Sequence, residues 1–592
     1  MTDTRAPLFT FVAVGDTHVN PRDDFSPSPW RTNVLANDRA AAVVAQINAL
    51  APDFVVHLGD MIHPLPGSAD YEAAAARFHA LFGALRMPVH LVPGNHDLGD
   101  KPTGWTPAAP VDDAALAAYR GQFGADHHAF EHAGCRFLIV NDEIFNTGLE
   151  AEERQWRWLE EELSRGGRTF VFTHYPPFLQ AADEVEHYDN LAEPGRGRFL
   201  AMIRDRAEAV FCGHVHNFFY NRAGTTDLYV APATSAIRHD YADMFAVAPG
   251  PGTEHGRDQR SKLGFLLVEV YPEGHVVHVV RSFGETDAEA AARGTRRPLA
   301  SPMIRPAPLG VDLRVGWADV HSVAFAGAVD EFNRKPVRND CLVQALWELG
   351  VRELRVPVRD LVDPLYARRM RDLGARGHRF TAFCYGLPDA TAQAAIAEVS
   401  AAIAALEITG RMADLPDLAQ EAAASEAFRQ VPVTLSKLRL SADAEHDGNR
   451  FAHFIRHGFR ADEPDLTAAL ELVRANGLAG LVLSVPGVEP AGSAIAAIAQ
   501  LAADNAMRAQ VHVQLAGEDP AVEMADEAAL AERVRKAGEA ARRAGDRVRV
   551  FLDTFCDHDR GYFPRLGLVD RRYDLRAPGE ALKRLVETQA AG

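Results

Sequence analysis

The chain has 592 residues, of which 47% are hydrophobic and 24% are charged, and its formal net charge is −19. This length predicts more than one domain, and the composition is that of a globular protein with enough apolar residues to bury a core. The acidic balance argues against a broad basic surface and therefore against a nucleic acid polymer as partner. A small anionic substrate is compatible with it, because metal ions can supply local positive charge.

Cysteine usage and hydropathy indicate the compartment. The five cysteines are scattered and form no Cys-x-x-Cys pair, which is typical of reduced thiols rather than of disulfides or a zinc–thiolate site. The opening segment "MTDTRAPLFTFVAVGD" lacks the basic and long apolar regions of a signal peptide. No apolar run reaches the roughly 18–20 residues that cross a bilayer. We therefore expect a soluble, cytoplasmic protein that has no membrane partner.

Residues 8–285 alternate short apolar runs with helical stretches. The runs have the pattern of buried strands that end in polar residues: "LFTFVAVGD", "DFVVHLGD", "VHLVPGNHD", "RFLIVND", "TFVFTHYPP", "AVFCGHVH" and "LYVAPATS". The segments "NDRAAAVVAQINAL" and "EERQWRWLEEEL" have helical periodicity. Ligand sites of α/β folds lie at strand ends, so we expect the Asp, Asn and His side chains after these strands to meet at one edge of a sheet.

Residues beyond 285 predict a linker and a second domain. The stretch 286–312 is rich in Ala, Arg and Pro and has no periodicity, which is typical of a linker. After it come eight strand-like runs, most of them separated by helical text: "DLRVGWADV", "RELRVPV", "RFTAFCYG", "ALEITG", "PVTLSKLRL", "GLVLSVPG", "AQVHVQLAG" and "RVRVFLDTF". They predict a (β/α)8 barrel, similar to a TIM barrel, over 313–592, after an α/β domain over 1–285. By size, residues 1–300 could bury a core of their own.

Five motifs of the first domain supply candidate metal ligands. They are "GDTH", "LGD", "GNHD", "THYPP" and "GHVH", and their side chains with suitable donor atoms are Asp16, His18, Asp60, Asn95, His174, His214 and His216. A single motif of this kind is also typical of a turn, but turns do not require histidine at four of the seven positions. The mixture of carboxylate, amide and imidazole suits two divalent or trivalent first-row metal ions, such as Mn, Fe or Zn, that share a bridging carboxylate.

The ordered set Asp-x-His, Gly-Asp, Gly-Asn-His-Asp, His and Gly-His-x-His resembles the calcineurin-like metallophosphoesterases over roughly the first 285 residues. The resemblance implies a four-layer α/β sandwich that carries a dinuclear metal centre. It also implies a division of the ligands: one ion on Asp16, His18 and His216, the other on Asn95, His174 and His214, and Asp60 as the bridge between them.

The resemblance implies catalytic roles as well. A hydroxide that bridges the metals attacks phosphorus in line, while the metals neutralise charge on the equatorial oxygens. His96 is similar to the family histidine that contacts the phosphoryl group and assists the leaving group, and Asp97 would orient the His96 ring. The expected substrate-binding residues are Asn95 and His96, with His63 of "GDMIH" and His239 of "AIRHDYAD". The loops "HVNPRDDFSPSPWRTN" and "EVEHYDN" are candidates for a lid and a pocket wall, or for solvated surface.

The motifs also indicate which subgroup of the metallophosphoesterases the sequence resembles. His63 stands where the purple acid phosphatases, which resemble this family, have a tyrosine ligand, and this disfavours that subgroup. The full ligand set looks most like the class III cyclic-nucleotide phosphodiesterases and the glycerophosphodiesterases, which predicts a hydrolase of small phosphodiesters. Two alternatives stay open: a phosphomonoesterase that acts on nucleotides or sugar phosphates, and a non-catalytic scaffold that keeps the phosphoesterase fold.

Polar residues also follow the predicted barrel strands, at the face where barrel active sites lie. They are Asp319, His321, Arg359, Asp360, Tyr385, Glu407, Lys437, Gln514 and Asp553. The segments "LGVRELRVPVRD" and "GLVDRRYDLRAPGEAL" faintly resemble glycoside hydrolase barrels, which would make Glu407 a candidate catalytic carboxylate. The expected partner position holds Gln514, which cannot ionise. We therefore favour a binding or assembly role for the barrel, such as shaping the metal-site entrance, recognising a glycosyl group or forming a homo-oligomer.

Overall fold

The computed structural model describes residues 6–103, 106, 108–293, 301–325, 332–439, 456–515, 526–558 and 565–588. The described residues of Asp3–Pro298 and Val320–Gln344 form one compact unit, and those of Leu299–Asp319 and Ala345–Gly592 form a second. We refer to them as unit 1 and unit 2. In the described part of the chain, no helix is both long and apolar enough to cross a membrane.

The secondary structure is mixed throughout. The strands are β1 (Phe9–Val14), β2 (Phe54–His57), β3 (Val89–Leu91), β4 (His128–His132), β5 (Cys135–Ile139), β6 (Thr169–Phe172), β7 (Ala209–Cys212), β8 (Phe219–Ala223), β9 (Thr226–Val230), β10 (Gly264–Tyr271), β11 (Gly274–Arg281), β12 (Gly310–Asp312), β13 (Val320–Ala324), β14 (Arg334–Arg338), β15 (Glu353–Pro357), β16 (Arg379–Tyr385), β17 (Ile403–Gly410), β18 (Val433–Arg439), β19 (Arg456–His457), β20 (Gly480–Val485), β21 (Arg508–Val513) and β22 (Val548–Leu552). The helices are α1 (Arg31–Val34), α2 (Ala36–Leu50), α3 (Tyr71–Phe82), α4 (Asn95–Leu98), α5 (Asp113–Phe123), α6 (Glu150–Ser164), α7 (Gly195–Ile203), α8 (Asp287–Arg293), α9 (Cys341–Glu348), α10 (Val358–Val362), α11 (Pro364–Ala375), α12 (Ala390–Glu398), α13 (Leu415–Ala424), α14 (Asp465–Asn476), α15 (Ala491–Asp504), α16 (Glu527–Ala544) and α17 (Ala577–Thr588).

Unit 1 is built on two mixed sheets that pack face to face. Their strand orders are β11-β10-β1-β2-β3 and β4-β5-β6-β7-β9-β8. Phenylalanine rings fill the space between them: the ring of Phe11 in β1 lies 5.8 Å from that of Phe137 in β5 and 5.5 Å from that of Phe211 in β7. Apolar residues of α2, α3 and α5 cover the outer face of the first sheet, and those of α6 and α7 cover the second. The order helix, sheet, sheet, helix confirms the predicted four-layer α/β sandwich.

Parallel strands in the two sheets bring the five motifs together at the carboxyl ends of the strands. In the first sheet β1, β2 and β3 are parallel neighbours, and in the second β5, β6 and β7 are. The residues Asp16, Asp60, Asn95, His174 and His214 follow the ends of β1, β2, β3, β6 and β7. The predicted strand runs therefore deliver their polar residues to the carboxyl ends of parallel strands, where ligand sites of α/β folds lie.

The segment after the linker differs from the sequence expectation. The run "DLRVGWADV" was expected to be the first barrel strand, but that strand is only β12, Gly310–Asp312. The next residues form the antiparallel hairpin of β13 and β14, which belongs to unit 1. In the hairpin, Arg338 donates to Asn221 and to the carbonyl of Tyr220, both within unit 1. The start of the predicted linker is the helix α8, which packs against α2.

Unit 2 is a closed barrel of eight parallel strands, in the order β12-β15-β16-β17-β18-β20-β21-β22, with β22 pairing back to β12. The short strand β19 is an antiparallel addition to β18. Helices such as α11, α14, α15 and α16 connect consecutive strands. This topology confirms the predicted (β/α)8 barrel. Seven of the eight predicted runs lie on its strands, and "DLRVGWADV" meets β12 only at Asp312.

Candidate metal centre

The strand-end residues of unit 1 share an unusual backbone conformation. Five of the seven predicted ligands have a positive φ: 53° at Asp16, 45° at His18, 52° at Asp60, 69° at His214 and 60° at His216. Non-glycine residues rarely adopt this region, and each instance costs on the order of 1–3 kcal/mol. Such strain, concentrated where the strand ends of the two sheets meet, is typical of a functional site, where it aims several side chains at one point.

Two glycines allow the motif loops to approach one another. A Cβ on Gly94 of "GNHD" would lie 2.2 Å from the backbone nitrogen of Asp60, and one on Gly59 of "LGD" would lie 2.4 Å from Nδ1 of His174. Any larger residue at either position would push the loops apart. The glycines of these motifs are therefore required by the close packing of Asp60 against the loops that carry Asn95 and His174.

A first group of donors contains Asp16, His18, Asp60 and His216. The Nε2 atoms of His18 and His216 face each other at 3.0 Å. Nε2 of His18 lies 3.4 Å from Oδ2 of Asp60, and Nε2 of His216 lies 3.5 Å from Oδ1 of Asp16. All four side chains are buried, so solvent cannot satisfy these atoms.

A second group contains Asn95, His174 and His214 around the other oxygen of Asp60. Oδ1 of Asn95 lies 3.1 Å from Nε2 of His174 and 3.1 Å from Nδ1 of His214. Nε2 of His174 is 3.4 Å from Oδ1 of Asp60. Because its two oxygens face different groups of donors, Asp60 has the geometry of a bridging carboxylate.

The protonation of these rings makes the cluster a cation site. Nδ1 of His174 donates to the carbonyl of Leu58 at 2.7 Å, and Nδ1 of His216 donates to the carbonyl of Ala236 at 2.6 Å. Nε2 of both rings therefore points into the cluster, and in His216 it is a lone pair that faces other acceptors. Burial alone would lower the pKa of His174, but the facing Asp60 outweighs it and raises that pKa well above its usual value, so this ring carries a proton that a bound cation would replace. Burial lowers the pKa of His216 to about 3, which keeps this ring neutral. Converging acceptors of this kind repel one another unless a metal ion lies between them, so the residues present fit a metal centre.

The carboxylates lead to the same conclusion. Burial raises the pKa of Asp16 to about 8, and Oδ2 of Asp16 has no hydrogen-bond partner among the described residues. Burial by itself also raises the pKa of Asp60, but the facing His174 outweighs it and holds that pKa well below the usual range. Bound cations would keep both carboxylates ionised, as metal ligands must be.

His96 lies at the rim of the first donor group, and its orientation corrects one prediction. Its ring is edge-on to that of His18 with centroids 4.6 Å apart, and its Nδ1 donates to the carbonyl of His63 at 2.5 Å. Asp97, which was expected to orient His96, instead accepts hydrogen bonds from the backbone nitrogens of Met61 and Gly94. Asp97 therefore ties the two ligand loops together, and the His63 backbone orients His96.

The other predicted substrate residues occupy different surroundings. Nδ1 of His63 lies 3.4 Å from Nδ1 of His18, so His63 lines the centre. His239 is exposed, and its ring packs 5.3 Å from that of Trp30 rather than against the donor cluster. Trp30 belongs to the predicted lid loop, so the contact joins this loop to the "AIRHDYAD" segment.

Several residues beside the cluster were not singled out from the sequence. The amide of Asn95 donates to the hydroxyl of Tyr188 at 3.2 Å, and the Tyr188 ring lies 4.8 Å from that of His214. Asp189 lies 3.8 Å from Nε2 of His214 and is paired with Arg238. The segments "EVEHYDN" and "AIRHDYAD", which contain these residues, were the available signal. Nothing in the sequence pointed to Lys335, which also pairs with Asp189 from the hairpin.

The barrel candidate Glu407 is fully buried inside unit 2. Its carboxylate accepts from Nε of Arg355 at 2.7 Å and lies 2.9 Å from Nε2 of His512. Burial alone would raise the pKa of Glu407, but Arg355 and His512 outweigh it and hold the pKa at about 2. A carboxylate with this pKa stays ionised at neutral pH, so it is unsuited to donate a proton as a glycosidase acid does. His321, another predicted barrel residue, lies on β13 in unit 1.

Paired sheets with a buried donor cluster at their strand ends define a metal-dependent phosphoesterase. The family described as calcineurin-like phosphoesterase matches residues 9–218. The glycerophosphodiester phosphodiesterase GpdQ of Enterobacter lignolyticus is 30% identical over 214 residues, which cover 33% of this chain and 67% of GpdQ. The human serine/threonine-protein phosphatase CPPED1 is 28% identical over 268 residues, 43% of this chain and 76% of that protein. A solved dimetal phosphatase from Danio rerio superposes with a TM-score of 0.34 at 15% identity, over 47% of this chain and 97% of that one.

The chain belongs to the calcineurin-like phosphoesterase family through its N-terminal region. Members of this family use divalent metals, in agreement with the donor cluster of unit 1.

Proposed function

We propose that unit 1 hydrolyses small phosphodiesters with two metal ions held by the donor cluster. In this proposal Asp16, His18 and His216 hold one ion, Asn95, His174 and His214 hold the other, and Asp60 bridges them. Bound there, the ions would act as Lewis acids on the phosphoryl group and lower the pKa of a water nucleophile. The observation that carries the proposal is the position of Asp60, whose two oxygens lie 3.4 Å from ring nitrogens of the two groups.

His96 is the candidate proton donor to the leaving group. The hydrogen bond from its Nδ1 to the His63 carbonyl holds the ring and directs Nε2 away from that carbonyl. Nε2 can then carry the proton that a departing alkoxide needs, since alkoxides are poor leaving groups without protonation. The backbone nitrogen of His96 donates to Oδ1 of Asp60 at 2.9 Å, which ties the position of the proposed acid to the proposed bridge.

Arg257 supplies positive charge near the centre for an anionic substrate. Its guanidinium donates to Oδ1 of the neutral Asn33 at 2.9 and 2.7 Å. Besides burial and His96, the charge of its guanidinium lowers the pKa of His63, which lines the centre. Burial lowers the pKa of Arg257 to about 10, so the side chain is still charged at neutral pH. A cation bonded to a neutral amide is suited to bind an anionic phosphoester.

The relatives support two substrate classes. The similarity to a glycerophosphodiester phosphodiesterase favours diesters, and we take this as the main proposal. The similarity to a serine/threonine-protein phosphatase favours the alternative of a phosphomonoesterase. The complete donor set together with His96 argues against a non-catalytic scaffold, because a scaffold has no need of this strained and buried cluster.

A metal-reconstitution assay tests the proposal. Full-length protein is stripped of metal, reloaded with Mn, Fe or Zn, and assayed with bis(4-nitrophenyl) phosphate and 4-nitrophenyl phosphate, then with a glycerophosphodiester and a 3′,5′-cyclic nucleotide. We expect metal-dependent turnover with a higher kcat/KM for diesters. A higher kcat/KM for the monoester would favour the phosphomonoesterase alternative, and no metal-dependent turnover on either class would contradict both.

A further inference from the structure

The interior of the barrel in unit 2 carries a polar cluster that the phosphoesterase site does not explain. Arg355 on β15 donates to Oδ2 of Asp312 at 2.6 Å and to Glu407, and Glu407 contacts His512. The strands β15, β17 and β21 are not neighbours in the barrel. These side chains can therefore meet only across the barrel interior, and they identify which face of each strand points inward.

The strand registers identify further residues whose side chains point into the barrel. Thr381 is the Cα partner of Arg355, and Thr434 is the partner of Glu407. Residues two positions further along a strand point the same way, so Thr409 after Glu407, and its partner Ser436, also face inward. The interior of a (β/α)8 barrel is commonly packed with branched aliphatic side chains. In this barrel, many of those positions instead carry charges, hydroxyls or amides.

Gln510, two residues before His512 on β21, faces the same way, and Nε2 of His457 lies 3.4 Å from the guanidinium of Arg355. Several polar atoms of this enlarged group have no hydrogen-bond partner within the described residues. They are Oγ1 of Thr381, Oγ1 of Thr409, Oγ of Ser436, Oε1 of Gln510 and Nδ1 of His457. Thr381 and Ser436 are 0% exposed, Thr409 is 1% exposed and Gln510 is 2% exposed, so bulk solvent does not reach them. Buried polar atoms are normally satisfied, because an unmet donor or acceptor is costly. Unpartnered hydroxyls beside an ordered ion network indicate a site for a ligand that brings its own donors and acceptors.

The charges of the cluster indicate the kind of ligand. The guanidinium of Arg355 is held by the two carboxylates Asp312 and Glu407, and the second oxygen of Glu407 contacts His512. Each of these ionic groups therefore already has a partner, and the hydrogen-bonding capacity that is left over belongs to neutral hydroxyl and amide groups. A charged ligand would have to disrupt these buried pairs, whereas a neutral ligand rich in hydroxyls would not.

Aromatic rings stand next to the same cluster. The Phe383 ring packs against the guanidinium of Arg355 at 3.8 Å, and Tyr385, two residues further toward the carboxyl end of β16, is 50% exposed. Barrel ligands enter at this end of the strands. An exposed ring above a polar interior can cover the apolar C–H face of a sugar ring while the hydroxyls reach inward. From the polar interior, the unpartnered hydroxyls and these rings, we propose that unit 2 binds a neutral polyhydroxylated ligand of the sugar or polyol class inside its barrel.

The double variant Thr409→Val/Ser436→Ala separates a ligand site from ordinary packing. It removes two unpartnered hydroxyls with little change of shape, so the Tm of the full-length chain should rise by about 2–4 °C. The matched control is Thr434→Val, which lies two residues before Ser436 on β18. Its hydroxyl donates to the carbonyl of Leu406, so the same change should lower the Tm. Far-UV circular dichroism of each variant checks that the fold is retained.

Binding is then measured on full-length wild type and the double variant with D-glucose, D-galactose and myo-inositol, by calorimetry and thermal shift. We expect at least one of these probes to bind the wild type and the double variant to bind it at least tenfold more weakly. If none of the three probes binds the wild type, or if the double variant binds as well as the wild type, the proposal is overturned. A lower Tm of the double variant would also overturn it, because the hydroxyls would then be satisfied within the protein.

Discussion

Lys335 and Asp189 form a fully buried ion pair although they are 146 residues apart in the chain. The same ammonium donates to Asp240 at 2.7 Å, and Asp189 accepts from the hydroxyl of Tyr241 at 2.7 Å. Asp189 also faces Nε2 of the proposed ligand His214 at 3.8 Å. The hairpin that follows the linker therefore contributes a cation to the surroundings of the metal centre.

The variant Lys335→Met tests the importance of this pair. It leaves two buried carboxylates with one cation fewer, so we expect the free energy of unfolding to fall by about 3–5 kcal/mol. Urea denaturation of the full-length chain measures the loss. The matched control is Arg334→Met on the same strand, whose side chain is exposed and should contribute within about 0.5 kcal/mol. Similar stability of the two variants would show that Lys335 contributes little.

Two N-terminal fragments, one with the hairpin of β13 and β14 and one without it, should differ in stability because the hairpin carries Lys335. By length alone residues 1–298 could form a core, but without the hairpin they lack Lys335 and Arg338, which bond to Asp189 and Asn221. We expect fragment 1–344 to bind metal and to unfold cooperatively, and fragment 1–298 to be less stable and to bind metal more weakly. Thermal unfolding and metal analysis of both fragments check this. Equal stability of the two fragments would contradict the assigned role of the hairpin.

The variant His96→Ala should separate proton transfer from metal binding. His96 contributes only its backbone to Asp60, so metal content should be unchanged while turnover falls, by about 10²–10⁴-fold if the ring is a general acid. Steady-state rates on alkyl and nitrophenyl esters measure the effect. The loss should shrink for nitrophenyl esters, because nitrophenolate leaves without a proton. A loss of the same size for every leaving group would make His96 a binder of the phosphoryl group instead.

Glu407 should make the barrel sensitive to acid. Its pKa is about 2 in the folded chain, against an ordinary value of 4.5, because Arg355 and His512 outweigh the effect of burial. A depressed pKa stabilises the fold above the ordinary value, and this stabilisation is lost as the pH falls from about 4.5 toward 2. Urea midpoints of wild type and Glu407→Gln, measured across that range, should therefore converge at low pH. A constant difference between them would contradict the ionic role of Glu407.

Local sequence patterns predicted much of the candidate site and little of what surrounds it. The proposed ligands follow directly after apolar strands, so their motifs can be recognised in short stretches of sequence. Most of the barrel strands were predicted from the same kind of pattern. The Asp97–His96 contact was predicted incorrectly, because adjacent residues on α4 point in different directions and Asp97 bonds to loop nitrogens instead. The pairing of Lys335 with Asp189 depends on chain folding over 146 residues, which no local pattern reports.

The most direct test of the account is the metal content and activity of Asp60→Asn beside wild type. Among the residues that the structure describes, Asp60 is the carboxylate shared by both donor groups, so its replacement by a neutral amide should weaken both sites at once. We expect two metal ions per chain in reconstituted wild type, fewer than two in the variant, and turnover of bis(4-nitrophenyl) phosphate near background. An Asp60→Asn variant that keeps two metal ions and the turnover of the wild type would contradict the bridging role of Asp60 and the dinuclear mechanism built on it.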